Sequence, residues 1–162
     1  MCMNITVISD THGDLDTLYE IVRQNEDCDL FIHLGDGEDE FRDVRNVFYT
    51  KPFIYIKGNN DWGDYPQNLV TELGGVKFYL CHGHRFERAH MKDYLSATAN
   101  VNGCKAALFG HTHVALNEEV NGVLLFNPGS ASLPRGGNPP TYGIIEITDN
   151  GEIIAEHIVI DF

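Results

Sequence analysis

The sequence predicts an α/β fold in which two β-sheets pack face to face and helices cover their outer faces. In the first half of the chain, short apolar strands alternate with amphipathic helices, an order typical of parallel βαβ units. The remainder carries three hairpin signals, at Gly74-Gly75, Asn121-Gly122 and Asp149-Asn150-Gly151. No repeat, low-complexity segment or linker interrupts this order, so we expect one domain over residues 1–162.

The spacing of apolar residues marks each element of the first part. Strands are predicted at "MNITVIS", "DLFIHLG" and "FIYIK", which are rich in β-branched and aromatic residues. Helices are predicted at "DLDTLYEIVRQNE", with Asp14 as its N-cap, and at "EDEFRDVRNVF". The apolar faces of these helices are predicted to comprise Leu15, Leu18, Ile21 and Val22, and Phe41, Val44, Val47 and Phe48.

The second part is predicted to be mostly antiparallel. The strand pairs flanking the three turns are "NLVTEL" and "VKFYLCHG", "VALNEEV" and "VLLFNPG", and "TYGIIEIT" and "EIIAEHIVI". A helix near residues 88–99 and a strand at "AALFG" lie between the first two hairpins. Three hairpins in this part indicate antiparallel pairing.

The charge balance narrows the classes of partner. Eleven Lys and Arg against 24 Asp and Glu give a net charge of −13. Such a surface repels nucleic-acid polymers and anionic membranes, so we expect neither as a partner. The sequence shows no apolar run long enough to span a bilayer and no leader, which favours a cytoplasmic protein. Four scattered cysteines without a C-x-x-C pair are expected to be reduced thiols.

Potential metal ligands stand where the predicted strands end. Loops at the carboxyl ends of parallel strands meet at one edge of a sheet, so these side chains can converge. Within each of the pairs Asp10/His12 and His111/His113, a locally extended chain would point both residues to the same side. The predicted ligands are Asp10, His12, Asp36, Asn59, His82, His111 and His113.

The types and number of these ligands indicate the ions. Carboxylate, imidazole and amide oxygen without thiolate suit Mn²⁺, Fe²⁺ or Zn²⁺. Seven ligands are too many for one tetrahedral ion and suit two ions that share a carboxylate. Single elements have plainer explanations: residues 58–61 are ordinary turn residues, and Asp10 could cap a helix. His33, His90 and His157 fit no strand-end pattern, and we interpret them as surface or hydrogen-bonded core histidines.

Five motifs carry a family resemblance: D-T-H at 10–12, G-D at 35–36, G-N-N-D at 58–61, H-G-H at 82–84 and G-H-T-H at 110–113. With them the sequence resembles the calcineurin-like metallophosphoesterases. The segment "FNPGSASLPR" at 126–135 resembles the one that follows G-H-T-H in their small bacterial and archaeal phosphodiesterase branch. The resemblance implies a four-layer αββα sandwich with a dinuclear metal centre.

The resemblance also implies ligands and a reaction. One ion would bind Asp10, His12, Asp36 and His113, and the other Asp36, Asn59, His82 and His111, with Asp36 bridging. Mn²⁺ is favoured, with Fe, Zn or Ni as alternatives. The expected activity is hydrolysis of a small phosphodiester by in-line attack of a metal-bridging hydroxide. Ser130 lacks a nucleophile motif and is not expected to react.

One position departs from the family pattern. Asn60 stands where the family usually has a histidine thought to protonate the leaving group, and an amide cannot act as a general acid. We interpret Asn60 as a substrate contact and Asp61 as a residue that orients its neighbours, with an ordinary turn equally open for both. His84 is a candidate replacement donor, with a plain loop histidine as the equal alternative.

Two other functions stay open at this stage. A phosphomonoesterase, including a protein phosphatase, would want extra cations near the metals, and sequence alone does not place Arg85 and Arg88. A binding scaffold resembling the retromer subunit of this fold is the other alternative. Trp62 and Tyr65 are expected to be packed, or else to line the rim of the site. The sequence leaves a homo-oligomer open.

Overall fold

The computed structural model describes residues 1–162 as ten strands, three α-helices and a short 3₁₀ helix at Arg88–His90. The helices are α1 (Leu15–Gln24), α2 (Glu38–Val47) and α3 (Met91–Val101). The strands are β1 (Met3–Ile8), β2 (Leu30–His33), β3 (Phe53–Tyr55), β4 (Asn68–Leu73), β5 (Val76–Cys81), β6 (Ala106–Leu108), β7 (Leu116–Val120), β8 (Val123–Asn127), β9 (Thr141–Ile147) and β10 (Ile153–Val159).

The strands form two mixed sheets of five strands each. The first sheet has the order β10-β9-β1-β2-β3, in which β1, β2 and β3 are parallel and β9 and β10 are antiparallel additions. The second has the order β4-β5-β6-β8-β7, with β5, β6 and β8 parallel. All three predicted hairpins are present.

The prediction of an antiparallel second part is wrong for β6. This strand pairs parallel with both β5 and β8, because α3 crosses over between β5 and β6 and β7 lies on the far side of β8. The last hairpin, β9–β10, is antiparallel as predicted, and it joins the first sheet. Turn signals identify hairpins, but they do not say which sheet a hairpin joins.

Three apolar clusters separate four layers. The largest lies between the sheets and includes Ile5 and Ile32 of the first sheet and Phe78 and Phe126 of the second, all buried. A second cluster packs α1 and α2 on the outer face of the first sheet, and a third packs α3 on the outer face of the second. The predicted αββα arrangement is therefore confirmed.

The helices begin and face largely as predicted. Asp14 caps α1, because its carboxylate accepts a 3.0 Å hydrogen bond from the Thr17 amide. Leu15 and Val47 are exceptions to the predicted buried faces, since they are 40% and 57% exposed. Both lie at helix ends and line a shallow groove between α1 and α2, beyond the reach of the sheet. No helix combines the length and apolarity that a membrane crossing requires.

Candidate metal centre

The seven predicted ligands lie in loops that directly follow strands of both sheets. Asp10 and His12 follow β1, Asp36 follows β2 and Asn59 follows β3, all in the first sheet. His82 follows β5, and His111 and His113 follow β6, in the second. Because the two sheets pack face to face, their loops meet at one end of the sandwich and bring the seven side chains together.

One compact group of donor atoms comprises Asp10, His12 and His113. The Asp10 Oδ1 atom lies 3.3 Å from His113 Nε2 and 3.7 Å from His12 Nε2. The two histidine Nε2 atoms are 3.1 Å apart. Three ligand atoms within this distance of one another are a suitable arrangement for one metal ion.

A second group comprises Asp10, Asp36 and His82. Asp36 Oδ2 lies 3.3 Å from His82 Nε2 and 3.8 Å from His12 Nε2, so it stands between the two groups. Asp10 Oδ1 also reaches both, lying 3.8 Å from His82 Nε2. Next to the second group, the Asn59 Oδ1 atom is 3.1 Å from both His82 Nε2 and His111 Nδ1.

The hydrogen bonds around the cluster leave its inward-facing atoms as acceptors. His82 Nδ1 lies 2.6 Å from the Leu34 carbonyl, and His113 Nδ1 lies 2.7 Å from the Leu133 carbonyl. A carbonyl can only accept, so each Nδ1 carries a proton, and in the neutral form that a metal ligand requires each ring turns an Nε2 lone pair inward. Asp10 Oδ1 is buried without a hydrogen-bond partner. This set of converging lone pairs fits a divalent cation.

Electrostatics keep the carboxylates ionised. Burial by itself would raise the pKa of Asp10, but the nearby His113 and His12 imidazoles outweigh burial and lower it well below its ordinary value. For Asp36, the His82 imidazole likewise overcomes burial and lowers the pKa to about 2. Burial would lower the pKa of His82, but the two carboxylates raise it. Both carboxylates are thus charged at neutral pH, as metal ligands must be.

The ligand loops have an unusual backbone. Six non-glycine residues have positive φ angles, and all but Asn121 are predicted ligands: Asp10 (56°), His12 (44°), Asp36 (59°), His111 (67°) and His113 (60°). The expectation of a locally extended chain at these pairs is therefore wrong. The left-handed conformation, which costs non-glycine residues roughly 1 kcal/mol or more, turns each side chain toward the centre.

Several residues that the sequence analysis missed hold these loops. Ser130 is buried, and its hydroxyl donates to the Asp10 carbonyl at 2.7 Å and accepts from the Leu133 amide at 2.8 Å. These hydrogen bonds give the Ser130 hydroxyl a structural role. Ser9 donates to Asp10 Oδ2 at 2.6 Å. Asn127 donates to the Gly110 carbonyl at 2.9 Å. Only the resemblance of the segment at 126–135 pointed to this region, because a contact such as that of Ser130 with Asp10 joins residues 120 positions apart.

The four residues predicted to act in catalysis have different surroundings. Asp36 lies at the centre of the cluster. Asn60 is exposed, and its side-chain amide donates to Asp36 Oδ2 at 2.8 Å. Asp61 is buried and accepts three hydrogen bonds, including one from the Asp36 amide at 2.9 Å. His84 is half-buried, with its ring centroid 5.5 Å from that of His82, and burial lowers its pKa.

A cavity of about 430 Å³ opens onto the cluster. Its lining includes His12, Asp36, Asn60 and several acidic residues of α2, with Trp62 at 92% exposure. Tyr65, in contrast, packs on Tyr55 with ring centroids 4.6 Å apart. The three remaining histidines lie apart from the cavity lining: His33 is buried and hydrogen-bonded, His90 is exposed, and His157 Nε2 donates to the Asn127 carbonyl at 2.7 Å.

The sequence matches the calcineurin-like phosphoesterase superfamily domain over residues 3–150. The probable metallophosphoesterase YsnB of Bacillus subtilis is 33% identical over 154 residues, which cover 94% of this chain and 89% of that protein. Phosphodiesterase MJ0936 of Methanocaldococcus jannaschii is 28% identical, covering 89% and 93% of the two chains.

Solved structures show the same architecture. A predicted phosphoesterase from Streptococcus pneumoniae superposes with a TM-score of 0.79 at 28% identity, covering 98% of both chains. Vps29 of Entamoeba histolytica, crystallised with zinc, gives a TM-score of 0.74 at 21% identity over 96% of this chain and 98% of its own, a likeness of fold alone. From its sequence match and its relatives, the chain belongs to the calcineurin-like phosphoesterase superfamily.

Proposed function

We propose that the protein is a dinuclear-metal-dependent phosphodiesterase that hydrolyses small phosphodiesters. The observation that carries this proposal is the buried, unpartnered Asp10 Oδ1 within a ring of inward-facing histidine nitrogens. Burying a charged oxygen without a partner is costly, so such a cluster is suited to cations and not to apolar packing. Mn²⁺ is the preferred ion, with Fe, Zn or Ni as alternatives.

Two divalent ions, when bound, would supply Lewis-acid activation of water and charge neutralisation at the phosphoryl oxygens. One ion would be held by Asp10, His12 and His113. The other would be held by Asn59, His82 and His111, and Asp36 would lie between the two ions. In the reaction, water oxygen forms a bond to phosphorus, the opposite P–O ester bond breaks, and the leaving oxygen acquires a proton. Asn60 cannot supply that proton, and His84 is the nearby candidate donor.

The charges around the cavity favour a diester over a monoester. Glu38, Asp39 and Glu40 line it, and Arg42, the one arginine or lysine in its lining, is paired with Asp39 and lies 4.0 Å from Glu38. Arg85 lines a different, smaller cavity, and Arg88 donates to the Thr112 carbonyl. A monoester dianion would lack a free cation here, whereas a diester carries one negative charge.

The decisive test measures bound metal and compares two nitrophenyl esters. We expect purified protein to bind two Mn²⁺ per chain and to hydrolyse bis(p-nitrophenyl) phosphate faster than p-nitrophenyl phosphate. A higher rate on the monoester would favour a phosphomonoesterase. Absence of both bound metal and Mn²⁺-stimulated turnover would favour a binding scaffold, the role that the departure at Asn60 leaves open.

Substitutions separate the ligands from their neighbours. Asp36→Ala or His82→Ala is expected to lower kcat/KM at least about 100-fold, since each removes a proposed ligand. Asn60→Ala is expected to lower it less than about tenfold, because Asn60 contributes one exposed hydrogen bond to Asp36. Asp64→Ala, an exposed aspartate in the same loop, serves as the control. Metal-dependent hydrolysis that survives Asp36→Ala would contradict the mechanism.

A further inference from the structure

Trp62 stands out among the residues around the proposed metal centre. It is the one tryptophan of the chain, it is 92% exposed, and it is the only apolar residue lining the 430 Å³ cavity that also contains His12 and Asp36. Single exposed apolar side chains are common on protein surfaces and need no explanation by themselves. Trp62 differs because it shares a cavity with the reaction centre.

The backbone that carries Trp62 is firmly held. The amides of Trp62 and Gly63 both donate to Glu38 Oε2, at 2.7 and 2.8 Å. A Cβ atom on Gly63 would lie 2.5 Å from Glu38 Oε1, so the loop approaches α2 as closely as a glycine allows. Asp61, directly before Trp62, is buried and bonded to the amides of Asp36 and Gly58. The loop therefore holds the Trp62 backbone at the edge of the cavity and leaves the indole exposed.

The neighbours of the indole restrict what could cover it. Glu38 and Asp39 line the same cavity, and Arg42 is already paired with Asp39. A second phosphate group on the substrate would meet these carboxylates without a free cation. A flat, uncharged group would meet no such repulsion and would bury the indole face. Aromatic stacking on tryptophan is favourable and tolerant of the identity of the base.

We propose that Trp62 is a stacking platform for a nucleobase, so that the substrates are nucleoside phosphodiesters with a single phosphate. This inference rests on the proposed phosphodiesterase function and adds the substrate class. The metal centre would hold the phosphodiester group, and the indole would hold the base at the rim of the same cavity. Trp62 is then a specificity-determining residue that does not take part in the bond-breaking step.

Binding of two phosphodiesters, one that carries a nucleoside and one that does not, tests this proposal. Thymidine 5′-(methyl phosphate) and dimethyl phosphate carry the same charge and a poor leaving group, so each serves as a ligand for the Mn²⁺-loaded protein. Because Trp62 is the only tryptophan, its fluorescence reports directly from the proposed contact. We expect quenching by the thymidine ester and none by dimethyl phosphate. Calorimetry is expected to give a Kd for the thymidine ester about tenfold higher in Trp62→Ala than in the wild type.

Control variants distinguish stacking from general effects. Trp62→Phe is expected to stay within about threefold of the wild-type Kd, since it keeps an aromatic face. Tyr49→Ala, which removes an exposed aromatic residue outside the cavity lining, is expected to leave the Kd unchanged. Equal affinity of the wild type for both ligands, or an unchanged Kd in Trp62→Ala, would overturn the proposal.

The two proposals fail in distinguishable ways. If the wild type hydrolyses bis(p-nitrophenyl) phosphate but shows no preference for the thymidine ester, the stacking proposal is wrong and the phosphodiesterase stands. If it hydrolyses neither nitrophenyl ester yet the thymidine ester quenches Trp62, the proposed enzyme is wrong and the base contact is supported. Burial of Trp62 by a protein partner in a co-purified complex, without quenching by the thymidine ester, would also overturn the stacking proposal.

Discussion

Asp61 shows at the scale of one residue how the site is held in place. One oxygen, Asp61 Oδ2, accepts from the amide of Asp36 at 2.9 Å, the amide of Gly58 at 2.6 Å and the hydroxyl of Tyr55 at 2.8 Å. The bond to Asp36 joins the loop after β3 to the loop after β2. This arrangement supports the interpretation of Asp61 as an orienting residue, in preference to an ordinary turn residue.

Replacing Asp61 is therefore expected to affect stability as well as activity. Asp61→Ala leaves three buried donors without an acceptor, and we expect the free energy of unfolding to fall by about 3 kcal/mol in urea denaturation. Asp61→Asn keeps an acceptor oxygen and is expected to lose less. The exposed Asp64→Ala is the matched control and should stay within about 0.5 kcal/mol of the wild type. Equal losses at both positions would contradict the orienting role.

His33 is a second residue that acts through its neighbours. The Gly35 amide donates to His33 Nδ1 at 3.1 Å, so the ring proton is on Nε2, 3.0 Å from the Thr11 hydroxyl. Thr11 in turn donates to Glu40 at 2.5 Å, and Glu40 also accepts from the Gly13 amide. This buried chain of hydrogen bonds joins α2 to the loop that carries Asp10 and His12.

The protonation of His33 gives a pH-dependent contribution to stability. Burial lowers the pKa of His33 to about 4, against about 6.5 in an unfolded chain. Between these values the unfolded chain binds more protons, so stability rises with pH and is lost as the pH falls from about 6.5 toward 4. We expect His33 to account for a loss of about 2 kcal/mol between pH 7 and pH 5.

Urea unfolding of the wild type and of His33→Gln at both pH values isolates this contribution. The variant cannot titrate at this position, so its stability should change by about 2 kcal/mol less than that of the wild type. Comparing the change with pH within each protein cancels any packing loss caused by the substitution. Parallel pH profiles for the two proteins would show that His33 does not provide the effect.

At the scale of elements, the loops that follow the strands shape the site in two ways. They carry the ligands, and their backbones pack closely against one another. Gly58, in the loop after β3, lies against the loop after β2, and a Cβ atom there would be 2.1 Å from Asp36 Oδ1 and 2.5 Å from the Asp36 amide nitrogen. The two loops therefore interlock around the carboxylate that we propose to bridge the ions. A methyl group at Gly58 would have to displace Asp36.

Gly58→Ala is accordingly expected to impair metal binding more than folding. We expect at least about a tenfold loss of Mn²⁺ affinity by calorimetric titration, similar to losses from disturbing the groups that orient metal ligands. Gly75→Ala is the control, since Gly75 has a φ angle of +81° in the β4–β5 turn with open space around it. That variant should lose about 1 kcal/mol of stability and keep its Mn²⁺ affinity. The reverse pattern would contradict the interlocked loops.

The sequence predicted the secondary-structure elements and the types of ligand better than it predicted the geometry of the site. Periodicity and turn residues located the strands and helices, because both are local properties of the chain. The motifs indicated which residues follow each strand, but not that Asp10 and His113 turn inward through left-handed backbone. Ser130 and Glu40 gave no separate signal, since each acts through contacts with residues distant in the chain.

For the whole molecule, the candidate centre lies where the two sheets meet. Asp10, His12, Asp36 and Asn59 follow strands of the first sheet, whereas His82, His111 and His113 follow strands of the second. Both compact donor groups contain residues from each sheet. A bound ion would therefore connect the two sheets, and its binding energy would add to the stability of the entire fold.

Thermal unfolding with and without metal tests this connection. At Mn²⁺ concentrations about 100-fold above Kd, binding at one site adds about 2.7 kcal/mol to the free energy of unfolding. For a chain of this size, that increase raises the Tm by about 5–10 °C. EDTA should reverse the rise. His111→Ala/His113→Ala removes only second-sheet ligands and should abolish most of the increase, although every first-sheet ligand remains. His90→Ala, an exposed histidine outside the cluster, should keep it. If the double variant retained the full increase, His111 and His113 would not hold the metal, and the connection that they are proposed to make between the two sheets would be wrong.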